Sequence, residues 1–272
     1  MKNNLIEKQV FKLVKKEYIT PYLIRVTLHS NDISAYKICK LGVNNKIFIP
    51  PNGVDKVHLP ELNLETRQWK QPAEELRPFI RTYTHRGIDL EKNYLIIDFV
   101  NHGDNGPASR WAINSKEGDE LGIAMKLFDT PLYPESDWYF FVADATAIPV
   151  ISCILEDLPE QAKGIAIIEK PTNENDLELI KPKNFEIIWL TNEHPELGSE
   201  LSQKVRSITI PNVCTKFAYV AAEFSTVKDL RNYFRKELDW TKEELYAFSY
   251  WKAGSSEDKS VEDRHDENKS IE

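Results

Sequence analysis

Two short strings hold the side chains best suited to chemistry. Arg81-Thr82-Tyr83-Thr84 closes a segment rich in β-formers, and Gly106-Pro107-Ala108-Ser109 opens a helix-forming stretch. A tyrosine ring can stack on an isoalloxazine face, a threonine hydroxyl and backbone can reach the polar edge of that ring, and an arginine can pair with phosphate. A small residue, a helix-starting proline and a hydroxyl expose backbone N–H groups, which suits a pyrophosphate. Taken singly, the first string is an ordinary β-strand and the second an ordinary helix cap. Taken together, in this order, they can hold the two ends of a flavin dinucleotide.

The elements around them fall into two patterns. In the first half, Phe11–Lys15, Tyr22–Leu28, Lys46–Ile49, Ile80–His85, Tyr94–Val100 and Glu120–Ala124 read as short strands, with a helix at Ala108–Ser115. Thr20-Pro21, Pro50-Pro51-Asn52-Gly53, Arg86-Gly87 and Glu117-Gly118-Asp119 supply the turns, and a small antiparallel barrel of Greek-key type is the natural closure. The polar stretch Val54–Arg77 reads as a long surface excursion carrying little functional information. A hinge is expected at 129–137. Beyond it, apolar strands (Tyr139–Ala143, Ile165–Glu169, Glu186–Leu190, Phe217–Ala222, Tyr246–Tyr250) alternate with helices (Ile148–Leu158, Val227–Leu238), which predicts an α/β domain with a mainly parallel sheet. The expected organisation is a β domain over 1–131, an α/β domain over 138–254 and a disordered tail over 255–272, where seven acidic and three basic residues leave little to pack.

At 272 residues the chain can bury a sizeable core, and its net charge of −8 disfavours DNA and anionic membranes as partners. The start, MKNNLIEKQVFKLVKK, lacks the hydrophobic stretch of a signal peptide, so a cytoplasmic protein is expected. The longest apolar run, Trp138–Leu155, is interrupted by Asp144, Thr146 and Pro149 and reads as strand, turn and helix. Cys39, Cys153 and Cys214 have no ligand or disulfide spacing and read as buried free thiols. There is no GxSxG, HExxH or P-loop, and the six histidines fall at unrelated spacings, so neither hydrolysis nor a protein-held metal is expected. No coiled-coil pattern or repeat appears, which favours a monomer.

RTYTHRGID at Arg81–Asp89, DFVNHGDNGPASRWA at Asp98–Ala112, EGDELGI at Glu117–Ile123, VADATAIPVI at Val142–Ile151 and YWKAG at Tyr250–Gly254 together resemble the siderophore-interacting proteins, a branch of the ferredoxin reductase-like flavoenzymes. The resemblance spans about residues 10 to 254. It implies an FAD-binding barrel followed by a nucleotide-binding-like domain, and an activity that reduces ferric siderophores. Carried over by position, Arg81, Tyr83 and Thr84 would hold the flavin ring and ribityl region. Val100, His102, Gly106, Pro107, Ala108 and Ser109 would hold the pyrophosphate and adenosine side. Asp98 fits either this site or a structural role. Lys46, Lys126 and Lys252 would line the siderophore pocket, although isolated lysines are also ordinary surface charges.

The first turn of the second domain, Ala143 to Pro149, contains no glycine, so the dinucleotide fingerprint is absent. Asp144, Thr146 and Ala147 are candidates for a nicotinamide nucleotide or simply a capped helix. Glu169 could bind a ribose hydroxyl and favours NADH over NADPH, while Lys170 pulls the other way. Ferredoxin stays open as donor. Two departures from the family pattern stand out: Ile123–Phe128 replaces a glycine-rich turn, and Lys252 replaces an arginine. Tyr250 and Trp251 could cover a flavin face or pack the last strand. A siderophore-binding protein without redox activity, and a flavin or ferredoxin reductase with another acceptor, are the competing readings.

Overall fold

The protein is described by a computed structural model covering residues 5–62, 68–104, 106–129, 131–174 and 177–255. Contacts divide the chain into two units, Met1–Pro131 and Leu132–Glu272. The expected tail lies almost wholly outside the described residues.

The first unit is built on strands β1 (Ile6–Thr20), β2 (Leu23–His29), β3 (Asn44–Ile49), β6 (Phe79–Thr84), β7 (Gly87–Asp89), β8 (Tyr94–Val100) and β9 (Glu120–Lys126). All seven join in one antiparallel sheet ordered β6-β3-β9-β1-β2-β8-β7, the expected antiparallel barrel sheet. Alternate residues point inward because side chains along a strand alternate sides. Ile24, Val26 and Leu28 on β2, Leu95, Ile97 and Phe99 on β8, and Leu121, Ile123 and Met125 on β9 therefore meet in one core. Helix α1 (Pro107–Asn114) adds Ala108 and Ala112 to it.

β1 is three times longer than its five-residue apolar signal. It pairs with β9 along its first part and β2 along its second, with register shifts at Leu13/Lys15 and Tyr18/Thr20. Such irregularities bend a strand, which lets one strand serve two neighbours around a curved sheet. On the outside, Arg25 forks onto the buried Asp98 carboxylate (2.7 and 2.8 Å), with Arg86 at 3.6 Å. Asp98 thus has the structural role.

The excursion carries a two-stranded ribbon, β4 (Glu61–Leu62) and β5 (Trp69–Lys70). Its start lies on the barrel: Val57 N donates to Glu120 Oε2 at 2.9 Å. A Cβ on Gly122 would come within 2.8 Å of Leu59 and 3.0 Å of Val57, so the glycine lets this segment lie directly on the sheet.

The second unit contains β10 (Trp138–Ala143), α2 (Ile148–Asp157), β11 (Lys163–Lys170), β12 (Asn184–Thr191), α3 (Leu201–Arg206), β13 (Lys216–Glu223), α4 (Phe224–Asn232) and β14 (Leu245–Trp251). A π-helical turn, Tyr233–Glu237, extends α4. The sheet order is β12-β11-β10-β13-β14 and every pairing is parallel. The central strands β10, β11 and β13 are buried almost continuously, as expected of parallel strands covered on both faces. Cys39 and Cys153 are buried, but Cys214 is exposed, because it lies in the irregular approach to β13 and not in an element. Among the described residues, no helix is long and apolar enough to cross a membrane.

Gly164 on β11 faces the Tyr139 carbonyl and the Phe185 ring; an added Cβ would sit 2.3 Å from the oxygen and 2.6 Å from the ring. The carbonyl is backbone held in the β10–β11 ladder and cannot rotate away. Gly164→Ala is expected to destabilise the protein by about 1–3 kcal/mol, the usual range for overpacking. Denaturant unfolding of wild type and variant, followed by far-UV circular dichroism, measures this; equal midpoints would contradict the packing described.

Candidate functional site

Tyr83 of the first string and Trp111, two residues beyond the second, pack against one ring. Tyr83 stands on β6, directly across from Asn45 on β3, and its side chain enters the barrel face. Its ring centroid lies 4.5 Å from that of Phe99 on β8, tilted by 39°. Phe99 in turn lies 5.7 Å from Trp111 on α1. A strand and a helix are therefore both packed against one buried phenylalanine. Arg81 shares the face of Tyr83, is half-buried, and donates to the Ile80 carbonyl at 2.7 Å. Thr84, the next residue along, is buried on the opposite face.

The loop leading into α1 is shaped by its own backbone. Val100 ends β8, half-buried, and the chain then turns through Asn101 and the exposed His102. Asn101 Oδ1 accepts from Gly103 N, and the Asn101 amide donates to Pro21 O. Gly106, with φ of +114°, caps the helix and has no side chain to satisfy its first N–H groups. Pro107 follows at the first helical position. The Ser109 hydroxyl is fully buried; it donates to Gly103 O (2.7 Å) and accepts from His102 N (3.2 Å). Ser109 thus ties the loop to the helix through its side chain, while the Ala108 and Ser109 backbone groups belong to the helix N-terminus.

This geometry suits an extended dinucleotide. An aromatic ring and an arginine lie on one strand, and an N-terminus without a side-chain cap lies on the helix held beside it. Asn45 is a further polar residue that sequence reasoning passed over. It is 3% exposed, sits across from Tyr83, and neither amide atom has a partner among the described residues. An asparagine at an inward position of the strand NNKIFI was the available signal.

Beside α1, a cleft of about 230 Å³ includes Phe79, Pro107, Arg110 and Trp111 in its lining. Arg110 bonds to Asp104 O (3.0 Å) and pairs with the Asp104 carboxylate (3.5 Å).

Two of the three singled-out lysines lie in this unit. Lys46 on β3 is exposed and its Nζ donates to Thr82 Oγ1 at 2.5 Å; Lys126, exposed, ends β9. Lys252 belongs to the second unit, where its ammonium lies 4.8 Å from the Phe224 ring.

In the second unit, the nucleotide candidates have internal partners. Asp144 follows β10 and accepts from Thr146 N (2.9 Å) and Thr146 Oγ1 (2.5 Å) through one oxygen and from Trp251 Nε1 (2.7 Å) through the other. Burial pushes its carboxyl pKa up. Ala147 is buried beneath it. Glu169, near the end of β11, is buried and accepts from Asn192 Nδ2 (3.0 Å) and Ser199 Oγ (2.6 Å); burial raises it as well. Glu223, which sequence reasoning did not single out, ends β13. It accepts from Ser225 N (2.5 Å) and from Ala253 N (3.1 Å). Trp251 therefore packs the last strand, through its bond to Asp144, and Tyr250 reaches Tyr219 at 3.4 Å.

Comparison with known proteins agrees with this geometry. Residues 12–125 match the model of a siderophore-interacting FAD-binding domain, and residues 136–254 the model of a siderophore-interacting protein. The chain is 31% identical over 258 residues to the ferric vibriobactin reductase ViuB of Vibrio cholerae, covering 94% of each chain. Among solved structures it is similar to the siderophore-interacting protein SipS from Aeromonas hydrophila (28% identity, TM-score 0.79, 96% of this chain and 98% of that one). A siderophore utilization protein from T. fusca gives 27% identity and a TM-score of 0.82, covering 92% and 95%.

His85 directly follows the Arg81–Thr84 string and is 1% exposed. Burial lowers its imidazole pKa to about 4. The folded state keeps it neutral while an unfolded chain takes up a proton near pH 6.5, so stability present above 6.5 is lost as pH falls towards 4. Over that window the loss is on the order of 3 kcal/mol. Flavin release monitored by fluorescence at a series of pH values is expected to show it, and His85→Gln to shrink the dependence between pH 6.5 and 4. Identical profiles would contradict a neutral buried imidazole.

Proposed function

The chain belongs to the siderophore-interacting protein family, and from that premise we propose that it is an FAD-dependent ferric-siderophore reductase. The coarser statement, an FAD-binding oxidoreductase, follows from the family and the FAD-binding domain it carries. One observation carries the finer reading: Tyr83 of β6 and Trp111 of α1 both pack against Phe99, so the strand and the helix that bear the two strings lie together.

In this reading Arg81, Tyr83 and Thr84 hold the ring and ribityl end of FAD. Gly106, Pro107 and the Ala108 and Ser109 backbone receive the pyrophosphate, with Val100 and His102 beside it. Bound FAD supplies what side chains lack, acceptance of two electrons from a donor and delivery of one electron at a time to iron. The protein groups have no proton to move for this; they orient, attract and exclude. Lys46, Lys126 and Lys252 draw in an anionic ferric chelate. Fe(III), the substrate, becomes Fe(II), which hard oxygen ligands hold less tightly, and the metal leaves its chelator.

The donor is NADH, NADPH or a reduced ferredoxin. The internal bonds of Asp144 and Glu169 mean that a nucleotide at this edge would have to share carboxylates already engaged by Thr146, Trp251, Asn192 and Ser199. Anaerobic single-turnover experiments with the three donors in parallel test this. Flavin absorbance should bleach with one of them and return on adding ferric siderophore, with Fe(II) appearing in a chelating trap. Reduced flavin that stays bleached in the presence of ferric siderophore would overturn the reductase reading. A colourless protein that takes up no FAD would favour a binding protein.

A further inference from the structure

The C-terminal segment of the second unit carries Lys252, and the residues on either side of it are held by two buried carboxylates from different strand ends. Trp251 donates its indole N–H to Asp144 Oδ2 at 2.7 Å, just past the carboxyl end of β10. Ala253 donates its backbone N–H to Glu223 Oε1 at 3.1 Å, at the carboxyl end of β13. Asp144 and Glu223 are 5% and 9% exposed. Lys252 therefore sits between two anchored residues.

Three further features add to this hold. The β13–β14 register shifts between Ala222 and Glu223, which places Trp251 opposite Glu223 and leaves Tyr250 as an extra residue. A bulge of this kind re-aims the side chains next to it. Beyond Lys252 the chain reverses at once: Ser255 N donates to Lys252 O at 3.1 Å, with Gly254 at a φ of +73° that favours glycine. The Lys252 ammonium lies 4.8 Å from the ring of Phe224, the residue that follows Glu223. Backbone and side chain of Lys252 are thus both tied to the start of α4.

A lysine on a segment without such ties has to be ordered when an anion binds, and that ordering is subtracted from the affinity. A lysine whose backbone is already fixed escapes the loss. A carboxylate can provide this and cap a helical turn at once, because it has two acceptor oxygens. Asp144 Oδ1 takes Thr146 N–H (2.9 Å) and Glu223 Oε2 takes Ser225 N–H (2.5 Å), while Oδ2 and Oε1 serve the C-terminal segment. An amide at either position has one acceptor oxygen and turns an NH2 group towards one of the two donors. We infer that Asp144 and Glu223 are positioning residues for Lys252: they hold the residues flanking it and so fix its ammonium where an anionic ferric chelate meets it.

This inference rests on the reading of Lys252 as a ferric-siderophore contact, and gallium separates it from the reductase reading because Ga(III) chelates bind without being reduced. Calorimetric titration of FAD-loaded protein with the trianionic gallium tris-catecholate should give an affinity that falls about fivefold in Glu223→Gln and in Asp144→Asn. Trp251→Phe, which keeps a ring and loses the N–H, should match Asp144→Asn. In a Lys252→Gln background none of these changes should weaken binding further, because a residue acting through Lys252 then has nothing to position. Ser225→Ala removes one bond to Glu223 Oε2 and leaves Oε1 on Ala253. It should lower the unfolding midpoint slightly without moving the affinity. Flavin content and unfolding midpoint establish that each variant is folded.

Equal affinity in wild type, Glu223→Gln and Asp144→Asn would overturn the positioning role. Equal losses with and without Lys252 would overturn it too, since they mark an effect on the fold alone. Both results leave the reductase reading intact. The expected pattern without turnover of the ferric complex would leave the positioning role standing and overturn the reductase. No binding of the gallium complex by wild type, or binding indifferent to Lys252→Gln, would overturn the contact at Lys252 and the positioning role with it.

Discussion

Phe99 is the contact on which the first unit's functional geometry depends. It is fully buried near the end of β8, and both Tyr83 of β6 and Trp111 of α1 pack against it. Among the described residues β6 is an edge strand paired only with β3, and α1 lies outside the sheet altogether. Their mutual position is therefore not set by the backbone ladder. It is set by the packing of three aromatic rings tilted against one another, each contact contributing on the order of 0.5–1.5 kcal/mol beyond its buried area. The holder proposed for FAD is two separate pieces of chain kept in register by a hydrophobic core residue that need not touch the cofactor.

The period of two along a strand gives β6 two unlike faces. Arg81 and Tyr83 turn into the barrel, while Thr82 and Thr84 turn outward, and Thr82 there meets Lys46. On the proposed reading, Arg81 and Tyr83 serve the flavin from one face and Thr84 from the other, where Thr82 also orients Lys46. The two functions share a backbone without sharing side chains.

In the second unit, carboxylates occupy the carboxyl ends of the central strands, where parallel α/β sheets commonly receive ligands. Asp144 and Glu223 each cap the helical turn that follows, and each also holds the C-terminal segment, through Trp251 Nε1 and Ala253 N. Both oxygens of Asp144 and of Glu223 are used in this way. The glycine-free turn read from the sequence is thus explained by its local structure: an aspartate performs the capping, and its second oxygen fastens the last strand.

Much of this was legible in the residues themselves. Alternation of apolar side chains located β2, β8 and β9, and continuous apolar runs located β10, β11 and β13, because burial on one face or two leaves those patterns in any sequence. The Arg81 and Gly106 strings marked a strand and a helix start by residue type. The short ribbon β4–β5, strand β7 and helix α3 left too few residues for a period to show. The length of β1 was hidden because its charged ends pair through the backbone. Only the tertiary structure decided that Tyr83 and Trp111 share Phe99, that Asp144 and Glu169 are engaged internally, and that Lys8 lies over the Trp69 ring. Each is a contact between residues distant in the chain, fixed by strand register and packing, and local sequence carries no record of which distant strand will lie alongside.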